Sequence, residues 1–187
     1  MEGLEPLPSW AAWRLHGAHD GFEVAQFDRA ADGVVISGAS TGVEGDAPWW
    51  FRYRIELAPD WRTRRCDVDT VERRISIVRA ADGWIVDGRR RPELDDCVDV
   101  DLEGSLVTNT LPVHRLDLPV GEAQPTPACY LRTSGEVERL DQSYRRTTAA
   151  PAPSVEYEST AFGYRDVLRF ERDGIVADSP GLGSRIR

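Results

Sequence analysis

Apolar and polar residues alternate with period two along most of the chain. The clearest example is the segment 49–57, in which aromatic and aliphatic residues alternate with arginine, tryptophan and glutamate. Successive side chains of a strand point to opposite faces, so this pattern predicts a strand with one buried face. The same reasoning predicts further short strands at 10–16, 22–28, 34–38, 61–68, 71–80, 84–86, 128–132, 137–146, 155–159, 164–171 and 175–177.

Turn residues separate these segments. Asp82-Gly83 and Asp87-Gly88 each indicate a tight hairpin, because both central positions of such a turn favour a left-handed backbone. Roughly a dozen strands at this spacing predict a mostly β fold. A twisted open sheet rarely exceeds ~10 strands, so we expect one long antiparallel sheet that curls and presents a concave face.

One stretch, 95–116, departs from this pattern. It begins as a strand, and then Thr108 or Asn109 is placed to cap a helix in which Pro112 is tolerated in the first turn. Apolar residues from 111 to 116 recur at helical spacing. We predict a single short helix here that fills the concave face of the sheet and depends on it, because an isolated helix of this length is unstable.

Length and composition are those of one globular domain, which we expect to span 1–187. The chain has 187 residues, of which 41% are hydrophobic and 29% charged. No apolar run approaches the ~20 residues of a membrane span. The first residues are acidic and interrupted by prolines, which is unlike a secretory signal, so we expect a cytoplasmic location.

The charge argues against a nucleic-acid partner. The formal net charge is −9, whereas binding to a phosphate backbone relies on positive charge. All 23 basic residues are arginine, which we attribute to compositional bias. Arginine clusters at 62–65, 73–74 and 89–91 are interpreted mainly as solvated strand faces.

Three cysteines, Cys66, Cys97 and Cys129, are widely spaced and include no C-x-x-C pair. This is neither a disulfide framework nor a zinc site. We expect all three to be buried free thiols.

Several motifs resemble one known family across nearly the whole chain. The resemblance is to the proteins described as putative glycolipid-binding, formerly a domain of unknown function. The motifs that carry it are Trp61-Arg62-Thr63-Arg64, Gly83-Trp84, Asp87-Gly88, Cys97-Val98-Asp99-Val100-Asp101, Thr108-Asn109-Thr110-Leu111-Pro112-Val113-His114-Arg115-Leu116, Gln142-Ser143-Tyr144, Asp173-Gly174-Ile175-Val176 and Pro180-Gly181-Leu182.

The resemblance implies a spiral β-roll, in which a long antiparallel sheet wraps around one helix, and a homodimer. It also implies a lipid-related or glycolipid-related binding role, with no catalytic residue to transfer. The chain departs from the family where two arginines are usual and His114-Arg115 stands, and at Ser105-Leu106-Val107 and Ser179.

An alternative function is metal-assisted hydrolysis by Asp99, Asp101 and His114. Asp99 and Asp101 are two residues apart and so share one strand face, a geometry that a hard cation accepts. No further ligand follows at a suitable spacing, and we expect neither a metal nor a cofactor. The two other histidines, His16 and His19, lie in an early turn and are expected to be exposed.

The aromatic residues fit either a packed core or a binding groove. Six tryptophans supply a large apolar area, either to a core or to a groove edged by arginine. The leading hypothesis is a non-enzymatic carrier that holds a lipid-like or glycolipid-like ligand between sheet and helix. The predicted ligand-binding residues are Trp61, Asn109, His114, Arg115 and Tyr144. A third hypothesis is a structural module that only dimerises.

Overall fold

The computed structural model describes residues 4–17, 19–148 and 152–186. Ala18 of the predicted turn at 16–21, and 149–151 of the predicted loop at 147–153, lie outside the described residues. The fold is mostly β, with one long curled antiparallel sheet and one short α-helix, as the sequence predicts.

Fourteen strands form the long sheet. They are β1 (Trp10–Leu15), β2 (Asp20–Ala30), β3 (Gly33–Glu44), β4 (Ala47–Leu57), β5 (Thr63–Thr70), β6 (Arg74–Ala80), β7 (Gly83–Val86), β8 (Arg89–Arg90), β10 (Ala123–Pro125), β13 (Gln142–Arg146), β14 (Ser154–Ser159), β15 (Tyr164–Phe170), β16 (Val176–Ser179) and β17 (Gly183–Ile186).

The order of these strands places the two ends of the chain side by side. Across the sheet, β10 lies next to β13, and β13 to β17 follow in chain order. Next to β17 lies β1, and β1 to β8 follow in chain order. The first and last strands pair antiparallel, with Ala12 opposite Ile186. Among the described strands, β10 and β8 do not pair with each other, so the sheet is open.

Strand β4 shows why these segments fold as strands. Its residues are alternately buried and exposed, and the five predicted inward residues, Trp49, Phe51, Tyr53, Ile55 and Leu57, are all buried. The exposed positions between them include arginines that pair with acidic residues, such as Arg52 with Asp69 on β5. The alternation in the sequence therefore corresponds to the two faces of the sheet.

The two predicted hairpins are also present. Strand β6 pairs antiparallel with β7, and β7 with β8. In the second turn Asp87 and Gly88 have φ of 49° and 77°. Both central residues are thus left-handed, as a two-residue hairpin requires.

A small second sheet departs from the expectation of a single antiparallel sheet. It consists of β9 (Asp99–Leu102), β11 (Ala128–Leu131) and β12 (Val137–Leu140), with β9 parallel to β11. A parallel pair needs a long crossover, and the segment between β9 and β11, which contains the helix, supplies it. The alternation of side chains does not encode strand direction, so this parallel pairing is not predictable from the sequence pattern.

The helix occupies Thr110–Arg115 and follows a 3-10 turn at Val107–Asn109. Thr110, Leu111, Pro112 and Val113 are buried. Asn109 lies at the predicted cap position, but neither its side chain nor that of Thr108 caps the helix.

The carboxylate of Glu23, on the inner face of β2, instead binds the start of the preceding 3-10 turn. It accepts hydrogen bonds from the backbone N–H groups of Leu106 and Val107 at 2.6 and 3.3 Å. It also accepts from the Ser105 and Tyr53 hydroxyls at 2.5 and 2.9 Å. A partner distant in sequence thus fixes the start of this segment to the sheet, which local capping rules do not anticipate.

The three cysteines are free and buried, as predicted. Burial raises the pKa of the Cys66 thiol, which therefore stays protonated at neutral pH. Within the described residues, no helix has the length and apolar character needed to cross a membrane.

Candidate functional site

We call the 3-10 turn and the α-helix together, residues 107–115, the helical segment. A cavity of about 270 Å³ lies between this segment, together with the small sheet, and the strands β14 to β16 of the long sheet. We call it the central cavity. It is lined by His19, Asp101, Leu102, Glu103, Gly104, Ser105, Asn109, Tyr130, Leu140, Tyr157, Phe162, Tyr164, Leu168, Ser179, Gly181 and Leu182.

Aromatic rings dominate the wall. Tyr130 on β11 lies 5.5 Å, centroid to centroid, from Phe162 in the turn between β14 and β15. Tyr157 and Tyr164, on β14 and β15, have centroids 6.0 Å apart. These four rings come from both sheets and give the cavity flat apolar surfaces with polar edges.

Asp101 is the polar group that distinguishes this wall. One of its oxygens accepts a hydrogen bond from the Thr108 hydroxyl at 2.7 Å. Burial raises the pKa of Asp101 from 3.8 to about 6, although the Thr108 hydrogen bond acts in the opposite direction. At neutral pH the carboxylate is thus largely ionised in a poorly solvated place.

Glu103 lies two residues further along and also lines the cavity. Its Oε2 accepts from the backbone N–H of Thr133 at 2.7 Å and from the Thr133 hydroxyl at 3.0 Å. These bonds hold the side chain in place and leave the cavity with two fixed acidic groups.

His19 corrects a prediction. The sequence placed it in an exposed turn, yet only 6% of its surface is exposed. Its ring packs edge-on against Trp49, with centroids 5.2 Å apart at 83°. The turn bends inward here, and Nδ1 of His19 is buried without a hydrogen-bond partner among the described residues.

Of the five predicted ligand-binding residues, Asn109 lines the central cavity. Its side-chain oxygen accepts a hydrogen bond from the buried Tyr144 hydroxyl at 2.9 Å. Tyr144 lies on the inner face of β13 and is not part of the cavity lining. The two residues are thus brought together as a buried pair that fixes the position of Asn109.

Arg115 faces Asp99 and not the cavity. Its Nε and Nη2 donate to the two oxygens of Asp99 at 3.0 and 2.6 Å, which is a two-point ion pair. Burial raises the pKa of Asp99, and the Arg115 guanidinium opposes this rise. This pair ties the end of the helix to β9.

Trp61 and His114 meet at the opposite end of the helix from Asn109. Their rings stack with centroids 3.7 Å apart at 14°. Trp61 has a left-handed backbone, with φ of 65°, which is strained for an aromatic residue. Both residues line a separate surface depression that also includes Arg29 and Pro59.

Burial lowers the pKa of His114 to about 4, while a hydrogen bond with the Asp173 backbone acts in the opposite direction. The imidazole is therefore neutral at physiological pH. Its Nε2 is buried without a partner among the described residues.

The three residues of the hydrolase hypothesis have different partners. Asp99 binds Arg115, Asp101 binds Thr108, and His114 stacks on Trp61. Across the described residues, no three His, Cys, Asp or Glu side chains are grouped to hold a metal ion.

Sequence reasoning missed most of the cavity. Tyr130, Tyr157, Phe162 and Tyr164 lie on predicted strands or turns, with nothing unusual in their spacing. They meet because β9 and β11 pair in parallel opposite the β14–β15 hairpin. The spacing of Asp99 and Asp101 and the family motif that contains Asn109 are the sequence signals in this region.

Comparison with known proteins agrees with the resemblance in the motifs. The model of the family described as "Putative glycolipid-binding" matches residues 10–185. The chain belongs to this family. No curated protein matches it.

One solved structure that it matches is a DUF1089 family protein from Pseudomonas aeruginosa. The TM-score is 0.71 at 26% sequence identity, and the match covers 100% of this chain and 97% of that one. The family member described here therefore shares its fold with that protein over the whole chain.

Proposed function

We propose that this member of the family is a non-enzymatic binding protein that holds one end of a lipid-like or glycolipid-like molecule in the central cavity. The observation that carries this proposal is the hollow, aromatic space between the helical segment and the sheet. A cavity bordered by rings and a few fixed polar groups is typical of small-molecule sites.

The size of the cavity limits what it encloses. Its volume of about 270 Å³ corresponds to the liquid volume of roughly nine water molecules. That is enough for a head group or a short piece of chain, and too small for a whole glycolipid. The remainder of the ligand extends through the opening, past Phe162, which is 46% exposed.

The predicted ligand-binding residues divide between contact and support in this proposal. Asn109 contacts the ligand, while Tyr144 holds the Asn109 side chain in place. Arg115 anchors the helix through Asp99. Trp61 and His114 belong to the depression at the other end of the helix and form a second candidate contact for the exposed part of the ligand.

Native mass spectrometry after gentle purification tests the proposal. We expect a bound amphiphile to be detected, and a panel of lipids and glycolipids to raise the melting temperature, since a ligand that binds only the folded state stabilises it. Absence of both a co-purifying molecule and any thermal shift would contradict binding.

A matched pair of variants locates the site. Leu182 lines the cavity and is only partly buried, so Leu182→Trp is expected to fill space and abolish the thermal shift. Val120→Trp adds slightly more bulk at an exposed position away from the cavity and should leave the shift unchanged. An equal response of both variants would exclude the central cavity as the site.

The convex face of the sheet favours dimerisation as a second function. Ile186, Val24, Phe22 and Trp50 are exposed outward-facing residues on β17, β2 and β4. Strand registry joins them, because Ile186 lies opposite Ala12, which lies opposite Val24, and Thr41 links Phe22 to Trp50. At about 4.8 Å per strand they form an apolar patch about 19 Å wide.

We propose that a second copy of the chain covers this patch, since one two-fold axis pairs it with itself. Light scattering coupled to size-exclusion chromatography is expected to give a dimer that Phe22→Ser dissociates. Exposed Phe162→Ser, on the cavity side, is the control and should remain dimeric. A monomeric native protein would rule out this second function.

A further inference from the structure

The carboxylate of Asp101 in the central cavity has no ion-pair partner among the described residues. Asp99 and Asp101 lie two residues apart on β9, and Asp99 forms its two-point ion pair with Arg115. Asp101 receives a hydroxyl hydrogen bond from Thr108. Within the described part of the chain, no arginine forms an ion pair with Asp101.

The arginine nearest to this wall is held at the rim. Arg132 pairs with Glu138 at 2.6 Å and more loosely with Glu103 at 3.9 Å. Its guanidinium carbon lies 5.7 and 5.5 Å from the centroids of the Tyr130 and Phe162 rings. The same two rings thus already face a cation on their outer side, which is a favourable arrangement for an aromatic surface. No arginine is among the described residues that line the cavity itself.

His19 supplies an independent observation that points to a ligand. Only 6% of its surface is exposed, and it lines the cavity. Its Nδ1 has no hydrogen-bond partner among the described residues. A buried polar atom without a hydrogen bond is costly and is usually satisfied by a bound group or water. In the tautomer with its proton on Nε2, Nδ1 is an acceptor.

The groups facing the cavity are therefore rich in acceptors and negative charge. An ammonium ion offers hydrogen-bond donors together with a compensating charge, and its apolar substituents suit aromatic faces. A carboxylate or phosphate would meet the like charge of Asp101, which pairs with no cation among the described residues.

We infer that the central cavity binds the ammonium head group of a cationic amphiphile, with Asp101 as its counter-ion and His19 as a hydrogen-bond acceptor. The rings of Tyr130, Tyr157 and Tyr164 surround the head group. This inference rests on the proposed binding function and narrows its ligand class to positively charged head groups, as opposed to neutral sugars or anionic lipids.

Three probes with alkyl chains of similar length separate these ligand classes: octylammonium, octyl glucoside and octanoate, each below its critical micelle concentration. Isothermal titration of the intact protein at pH 7.5 is expected to show octylammonium binding at least tenfold more tightly than octyl glucoside, with no detectable octanoate binding. Equal or tighter binding of either other probe would overturn the inference.

Variants connect the selectivity to the named side chains. Asp101→Asn removes the charge at nearly constant shape and is expected to weaken octylammonium at least tenfold while changing octyl glucoside less than threefold. Asp46→Asn makes the same change on the surface and should alter neither probe. If both variants behave alike, Asp101 is not the counter-ion.

His19→Phe keeps an aromatic ring and removes the nitrogens, and it provides a second route if Asp101→Asn does not fold. We expect about a fivefold loss for octylammonium, whereas native-like affinity would exclude His19 as a contact. Binding of octyl glucoside with no preference for octylammonium defeats this inference and leaves the proposed function intact. Failure of all three probes, together with an absent co-purifying ligand, defeats both.

Discussion

The two sides of the helical segment are built differently. On one side, the inner faces of β1 to β7 meet it with buried apolar side chains, among them Trp13, Leu15, Phe27, Ile36, Ile55, Leu57, Ile77 and Trp84. On the other side lies the central cavity, of whose described lining residues none belongs to β1 to β8. We call these the packed side and the hollow side.

The difference shows what a core requires. On the packed side, aliphatic residues interdigitate and the buried carboxyl group of Glu23 is engaged by four donors. On the hollow side, flat rings and carboxylates face one another without filling the space. A folded protein keeps such a space only where the surrounding scaffold is rigid, and the packed side provides that rigidity.

Removing the Glu23 carboxylate is expected to have the largest effect. In Glu23→Gln one acceptor oxygen becomes an NH₂ donor, so either the Leu106 and Val107 N–H groups lose their acceptor or the Ser105 and Tyr53 hydroxyls must reorient to accept from the amide. We expect the free energy of unfolding to fall by about 4 kcal/mol in urea titrations. Exposed Glu44→Gln on β3 is the control, and a loss below 1 kcal/mol for Glu23→Gln would show that the helical segment is held by other contacts.

Equal truncations on the two sides compare their packing directly. Leu57 and Leu168 are both 2% exposed, but Leu57 lies on the packed side and Leu168 borders the cavity. We expect Leu57→Ala to cost about 3 kcal/mol and Leu168→Ala about 2 kcal/mol, because fewer atoms surround a side chain next to a void. Chemical denaturation measures both values, and the reverse order would mean that the cavity is closed in solution.

The stability of the packed side should also depend on pH. Burial raises the pKa of Glu23 from 4.5 to about 7, so the folded state binds a proton more tightly than the unfolded state does. The resulting stabilisation is complete below pH 4.5 and is lost as the pH rises through about 7.

Between pH 5 and pH 8 this carboxyl is expected to remove about 2 kcal/mol of stability. His114, whose pKa is lowered to about 4, acts in the opposite direction below its ordinary value of 6.5. The difference between wild type and Glu23→Gln isolates the carboxyl, and a difference that does not vary with pH would contradict the raised pKa.

The smallest expected effect concerns the pair that borders the hollow side. Tyr144→Phe removes the hydroxyl that donates to Asn109 and should cost about 1 kcal/mol. A double-mutant cycle with Asn109→Ala tests the contact, since each mutation should cost less stability in a protein that already carries the other. Strictly additive losses would show that the hydrogen bond contributes nothing to stability.

The long sheet was predictable because its information is local. In β4 each buried residue is two positions from the next, and at Asp87-Gly88 the turn residues fit the required left-handed backbone. The position of the helix followed in the same way from residues 111 to 116. Its capping did not, because the acceptor, Glu23, is more than 80 residues away in sequence.

The candidate site was only partly predictable. The family motif predicts Asn109 as a ligand-binding residue. Trp61 and His114 are predicted from separate motifs, and their rings stack in the structure. His19 was wrongly expected to be exposed, since a turn rich in glycine and aspartate normally faces water. Nothing in its neighbours indicates that the turn bends inward against Trp49.

The sequence by itself determined the β class, the inward residues of the main strands, the hairpins, the free thiols and the family. These depend on alternation, turn chemistry and motif order, which are properties of neighbouring residues. Tertiary structure alone decided that β9 pairs in parallel with β11, that Arg115 neutralises Asp99 but not Asp101, and that four rings enclose a space. Those outcomes depend on which distant segments meet, and the charge left on Asp101 is a property of that meeting.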